Sequence, residues 1–130
     1  MKQFTVVIMK ADTPNANGRI YSRATLEAAV KKVEDSAGLH GRLFGQIGMP
    51  EGGLDLAKAS HIVGNLRFNE ANELIGDVVL METPQGKIAA ELLDAGVSYD
   101  FRTAGYGTVS VFGEVKDFVI HSINMVKDGA

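Results

Sequence analysis

Two apolar, β-branched runs separated by four polar or small residues constrain this chain more than any other feature: ASHIVGNLRF (Ala59–Phe68) and ELIGDVVLM (Glu73–Met81), joined by Asn69-Glu70-Ala71-Asn72. Runs of this length rich in Val, Ile and Leu fit strands, and the connector fits a turn, so the pair reads as an antiparallel hairpin. A lone hairpin is marginal in water and needs more strands or a helix on its apolar face. The rest of the chain supplies both. Phe4 to Met9 is a third strand pattern, followed by the turn-rich loop ADTPNANGR, and Leu43 to Ile47 is a short fourth, followed by the loop PEGGLD. Thr108 to Phe112 and Val115 to Val126 complete the set, with Gly113-Glu114 as a tight turn.

Two helices have clear punctuation. Ser22 can cap the first, with Leu26, Ala29, Val30 and Val33 at helical spacing and an end near Asp35, before Ser36-Ala37-Gly38. In the second, Thr83 is the cap, Pro84 fits the first helical position and Gly96 fits the left-handed stop. Ile88, Ala89, Leu92 and Leu93 form its apolar stripe. The expectation is one domain, 1–130, of α+β class: a mostly antiparallel, β-barrel-like sheet of about six strands with two helices.

Composition narrows the function classes. The 130 residues are 45% hydrophobic and 22% charged, enough to bury a core without staples. The absence of cysteine excludes disulfides and thiolate metal sites. A net charge of −3 without a basic run argues against nucleic acid as a partner. No apolar run approaches the roughly 20 residues of a membrane span, so no membrane role is expected. The start, MKQFTVVIMKAD, reads as a first strand of a protein made in the cytoplasm rather than as a secretory signal.

Three histidines are scattered, without a metal-ligand spacing, so no metal or cofactor is expected. His61 and His121 read as packed strand residues, and His40 as an exposed loop residue. Ser60 and His61 are adjacent on a strand and should face opposite ways, which argues against a dyad. Gly105-Tyr106-Gly107 resembles an anion cradle less than a backbone-shaping device.

Several segments in order resemble the prohead serine proteases of tailed phages, capsid-maturation enzymes similar in fold to the herpesvirus assemblins. GRIYSRATLEAAV (Gly18 to Val30) resembles the segment ahead of their histidine loop, and GQIGMP (Gly45 to Pro50) stands where that loop follows. The hairpin already described comes next. The helix AAELLDAG and the loop RTAGYG (Arg102 to Gly107) then match the family's helix and serine loop, and FVIHSINMV its last strand. The resemblance covers residues 18 to 126. It implies the protease fold, and it places the family's catalytic histidine on Met49, its two serines on Arg102 and Thr103 and the following arginine on Ala104. The backbone-shaping Gly45, Pro50, Gly105 and Gly107 are kept.

A methionine thioether takes no proton near neutral pH, and an arginine is no nucleophile. Thr103 alone retains a hydroxyl. Loss of a triad member costs about four powers of ten, roughly 5 kcal/mol. From this the sequence suggests a chain that is not an enzyme: a catalytically inactive, protease-like structural protein of the virion capsid, made in the host cytoplasm. It would serve as a cement or decoration protein bound to the major capsid protein and to copies of itself. Tyr99, Phe101, Arg102 and Tyr106 are its candidate partner contacts, with core packing as the other reading of Phe101. The chain also ends soon after the last strand, without the long tail such proteases can remove from themselves. The alternatives are an active or weakly active prohead maturation protease, using Thr103 with His61 or His121, and a capsid assembly or scaffold-associated factor.

Overall fold

The computed structural model describes residues 2–36 and 40–127. The elements run β1 (Gln3–Lys10), β2 (Ile20–Tyr21), α1 (Arg23–Asp35), β3 (Leu43–Gln46), β4 (Ala59–Phe68), β5 (Glu73–Leu80), α2 (Pro84–Asp94), β6 (Tyr99–Val109) and β7 (Glu114–Lys127). A single 3-10 turn, Leu56–Lys58, leads into β4. The fold is α+β, as the patterning implied.

The strands form two sheets, ordered β1-β5-β4-β3 and β2-β7-β6. All pairs are antiparallel except β2 on β7. The barrel-like closure expected from the sequence does not occur. A barrel needs an unbroken ladder around its circumference. Here one isolated bridge, Ile47 with Met125, links the sheets on one side. On the other side β1 meets β6 through side chains, with the Phe4 and Phe101 rings edge-on at 5.9 Å.

Local chemistry explains the helices. The Ser22 hydroxyl accepts from the Thr25 N–H at 3.1 Å, and the four apolar positions Leu26, Ala29, Val30 and Val33 are all buried. Ser36 closes α1; the expected Ala37-Gly38 stop lies outside the described residues. In α2 the Thr83 hydroxyl accepts from the Gly86 N–H at 3.1 Å, and Gly96 takes φ +84°, the left-handed stop. The stripe of α2 differs from expectation, since Ile88 is 48% exposed. The helix instead presses Gly86 and Ala89 inward, and a Cβ on Gly86 would sit 1.8 Å from the Met81 carbonyl oxygen. Only small side chains fit that approach.

The core lies between the sheets and under α1, around Leu26, Val63, Leu74, Val78, Ile123 and Met125. Two sequence boundaries move. RTAGYG is not a loop, because β6 starts at Tyr99 and runs through both of its glycines. The turn is Ser110 to Gly113, where the Gly113 N–H donates to the Ser110 carbonyl at 3.0 Å. Phe112 therefore belongs to the turn and not to a strand, and it is 87% exposed. No described helix is long and apolar enough to cross a membrane.

Candidate active site

GQIGMP starts as strand and leaves as a lip. Gly45 and Gln46 finish β3, the Gln46 N–H donates to the Asn124 Oδ1 at 3.2 Å, and the Gly48 N–H donates to the Met125 carbonyl at 2.8 Å. Gly48 sits at φ +83°, a conformation that favours glycine. These contacts fasten the loop to β7 and leave Met49 exposed at its end.

The floor is the β6–β7 ribbon. Its register pairs Thr103 with Ile123, Ala104 with Ser122, and then Gly105 with Ile120. His121 is the extra residue of a β-bulge on β7. A bulge redirects side chains and tightens the local coil. His121 is consequently exposed, against the expectation of a packed strand residue, and its ring lies 5.0 Å from that of Tyr106. Gly105 is required at the bulge, since a Cβ there would stand 1.9 Å from the Val119 carbonyl oxygen.

Lip and floor enclose an open cleft of about 650 Å³ whose lining includes Arg19, Tyr21, Met49, Thr103, Tyr106 and His121. Of the sequence-assigned positions, Met49 and Thr103 meet here. Arg102 is exposed and does not line the cleft, and its guanidinium lies 3.2 Å from Asp100. The candidate partner contacts also separate. Phe101 is only 4% exposed, which makes it a core residue packed on Phe4 and His61. Tyr99 packs half-buried against the same core, while Tyr106 stands in the cleft wall.

His61 belongs to the core and not to the cleft. Its Nε2 lies 2.7 Å from the Ile123 carbonyl, which can only accept, so Nε2 carries the proton. Its Nδ1 lies 2.8 Å from the Ser60 hydroxyl and accepts from it. The expectation that these adjacent residues could not pair is therefore wrong. Both faces of β4 are covered at this end, and the short serine side chain turns along the strand to reach the ring. Neither group contacts the cleft, so the pair is a clamp between β4 and β7.

Burial holds the His61 pKa below its usual value, opposed by the hydrogen bond to Ile123. The unfolded chain takes up a proton near pH 6.5 that the native state resists. The contribution of His61 to stability is thus complete above about pH 6.5 and lost as pH falls below it, at up to about 1.4 kcal/mol per pH unit. Asp12 and Asp77 are held below the usual carboxylate range, chiefly by hydrogen bonds from Asn72 and Asn65, so their contributions are lost only in the more acidic range. Denaturant unfolding between pH 7.5 and 5 should show this decline, and His61→Gln should flatten it.

The two-sheet α+β scaffold, with a glycine-shaped lip facing a bulged strand pair, is the fold of a capsid assembly protease. It superposes on the structure of the bacteriophage T4 capsid assembly protease, gp21, with a TM-score of 0.85 at 21% identity, covering 96% of this chain and 81% of that one. The family of the prohead core protein serine protease matches residues 3–128, and the chain belongs to that family. No curated protein sequence matches it. The family and the shared fold are those of a protease, and they overturn the expectation that this chain is not an enzyme.

Four residues around the cleft escaped the sequence reading. Arg19 and Tyr21 line one wall and Ser122 lies in the floor. Asn124 is fully buried behind it. The usable signal for the last two was a polar Ser-x-Asn step inside the otherwise apolar run SINMV.

Proposed function

We propose that this chain is a maturation protease of the phage prohead, cutting polypeptides of the prohead core and capsid and acting within the assembling particle. The observation that supports this reading is that Thr103 and His121 line one cleft. The Thr103 Oγ1 attacks a peptide carbonyl while His121 takes its proton. The tetrahedral intermediate expels the amine, which receives that proton, and leaves an ester on Thr103. Water, deprotonated by His121, then hydrolyses the ester and restores the hydroxyl. Met49, where the family carries its histidine, supplies an apolar lip, so the base comes from the floor. Such a rearranged site predicts slow turnover.

Replacing His121 by alanine tests the assignment. Removal of a general base costs about 10²- to 10⁴-fold. Cleavage of prohead core proteins should fall by that factor in His121→Ala and stay near wild type in His61→Gln. The reverse pattern would contradict the role given to His121.

A second reading, a cement or decoration protein on the major capsid protein, draws on the turn between β6 and β7, where Val111 is 95% exposed beside Phe112. Exposed apolar side chains at the tip of a ribbon suit a docking contact. Quantitative mass spectrometry of mature virions separates the two. Hundreds of copies at a fixed ratio to the major capsid protein favour the second reading, and few or none the first.

A further inference from the structure

A short buried polar chain ends on the cleft. Asn124 is fully buried, and its amide orientation is set by a neighbour that can only donate: the Gln46 N–H, 3.2 Å from Oδ1. Its Nδ2 therefore faces the Ser122 hydroxyl at 3.0 Å and donates to it. Ser122 is thereby fixed as an acceptor on its inner side, and its own proton must point elsewhere. Among the described residues no acceptor takes that proton. Ser122 is 1% exposed, yet it forms part of the cleft floor. A group that enters the cleft is the partner left for it.

From this arrangement we infer that Ser122 is a substrate-contact residue, donating a hydrogen bond to a main-chain carbonyl of the bound polypeptide, and that Asn124 is the positioning residue that aims it. The inference rests on the protease reading of the same cleft. A main-chain carbonyl fits because a single hydroxyl donor in a strand floor meets an extended chain laid across it, whatever its side chains. The lip takes part as well. The same Asn124 amide holds Gln46, and the Met125 carbonyl holds Gly48, so the loop carrying Met49 is in register with the donor in the floor.

The hydroxyl is present before and after the carbonyl is attacked elsewhere on the chain, so it stabilises bound substrate and transition state alike. Its loss should raise KM with little change in kcat. A hydrogen bond of ordinary strength corresponds to about tenfold. The experiment measures KM and kcat for wild type, Ser122→Ala, Ser122→Thr, Asn124→Ala and the Ser122→Ala/Asn124→Ala double variant. The substrates are peptides tiled across the phage's own prohead core and capsid proteins. We expect KM about tenfold higher in Ser122→Ala and restored toward wild type in Ser122→Thr, which keeps the hydroxyl. Ser122→Ala should raise KM less in the Asn124→Ala background than in wild type, because Asn124 aims the hydroxyl that the substitution removes. Thermal melts on the same proteins report any folding defect, and Ser122→Thr supplies the comparison if Asn124→Ala is unstable. Wild-type KM in Ser122→Ala, with cleavage intact, would overturn the inference alone. Absence of cleavage by wild type would overturn the protease reading and this inference together.

Discussion

Replacing Gly45 by alanine is expected to lower the melting temperature by about 15 °C, a loss of about 4 kcal/mol or more. The cause is geometric. A Cβ on Gly45 would stand 1.8 Å from the Ile123 carbonyl oxygen and 2.2 Å from His61 Nε2. These two atoms form the buried hydrogen bond that ties β4 to β7 across the end of β3. Neither can retreat: the carbonyl is main chain in the central strand of its sheet, and the fully buried ring is held at its other nitrogen by Ser60. The methyl group must therefore break the bond or lift β3, leaving a buried donor and acceptor unpaired. Total stability of a domain this size is about 5–15 kcal/mol, so the variant sits at the edge of folding. Gly53→Ala is the control. It lies beside the same cleft with nothing within 4 Å of its virtual Cβ and should melt within a few degrees of wild type. A Gly45→Ala variant that melts like wild type would show that the clamp does not hold the sheets.

Much of this fold was legible because its signals are local. Ser22 and Thr83 cap the helices they were expected to cap, and Gly96 takes the left-handed turn. The β4–β5 hairpin fell where its apolar runs ended. What failed depends on distant partners. Glycines at 105 and 107 looked like a loop because glycine usually breaks strands. They are strand residues whose missing Cβ atoms let the bulged β7 backbone come close. The same bulge turned His121 from an expected core residue into a cleft residue, and no spacing in one strand reveals a register shift against another. Ile88 was misplaced because helical periodicity does not say how near the rim of a sheet a helix will lie. The candidate site was half legible. The resemblance pointed to Met49 and Thr103, and His121 was one of two histidines offered as partner to Thr103. That His121 lines the cleft with Thr103 while His61 does not, and that Asn124 and Ser122 pair beneath, became visible only with the strands paired.

Removing the Thr103 hydroxyl should abolish cleavage, with a loss of at least about a thousandfold, roughly 4 kcal/mol in the barrier. The nucleophile cannot be replaced by a neighbour. Arg102 does not line the cleft, Ala104 carries no reactive group, and Ser122 is 1% exposed with its hydroxyl oriented by Asn124. Thr103→Ser keeps the hydroxyl and loses one methyl, so it should retain cleavage. Thr103 is half-buried near the centre of β6, and both variants should change stability by no more than about 1 kcal/mol. A drop in cleavage without a drop in melting temperature therefore reports chemistry and not folding.

The most direct measurement is intact-mass analysis of the phage's prohead core and capsid proteins after incubation with purified wild type, Thr103→Ser and Thr103→Ala. The account predicts discrete new chain ends with wild type and Thr103→Ser and uncut proteins with Thr103→Ala. Uncut proteins with wild type, or the same new ends with Thr103→Ala, would contradict it.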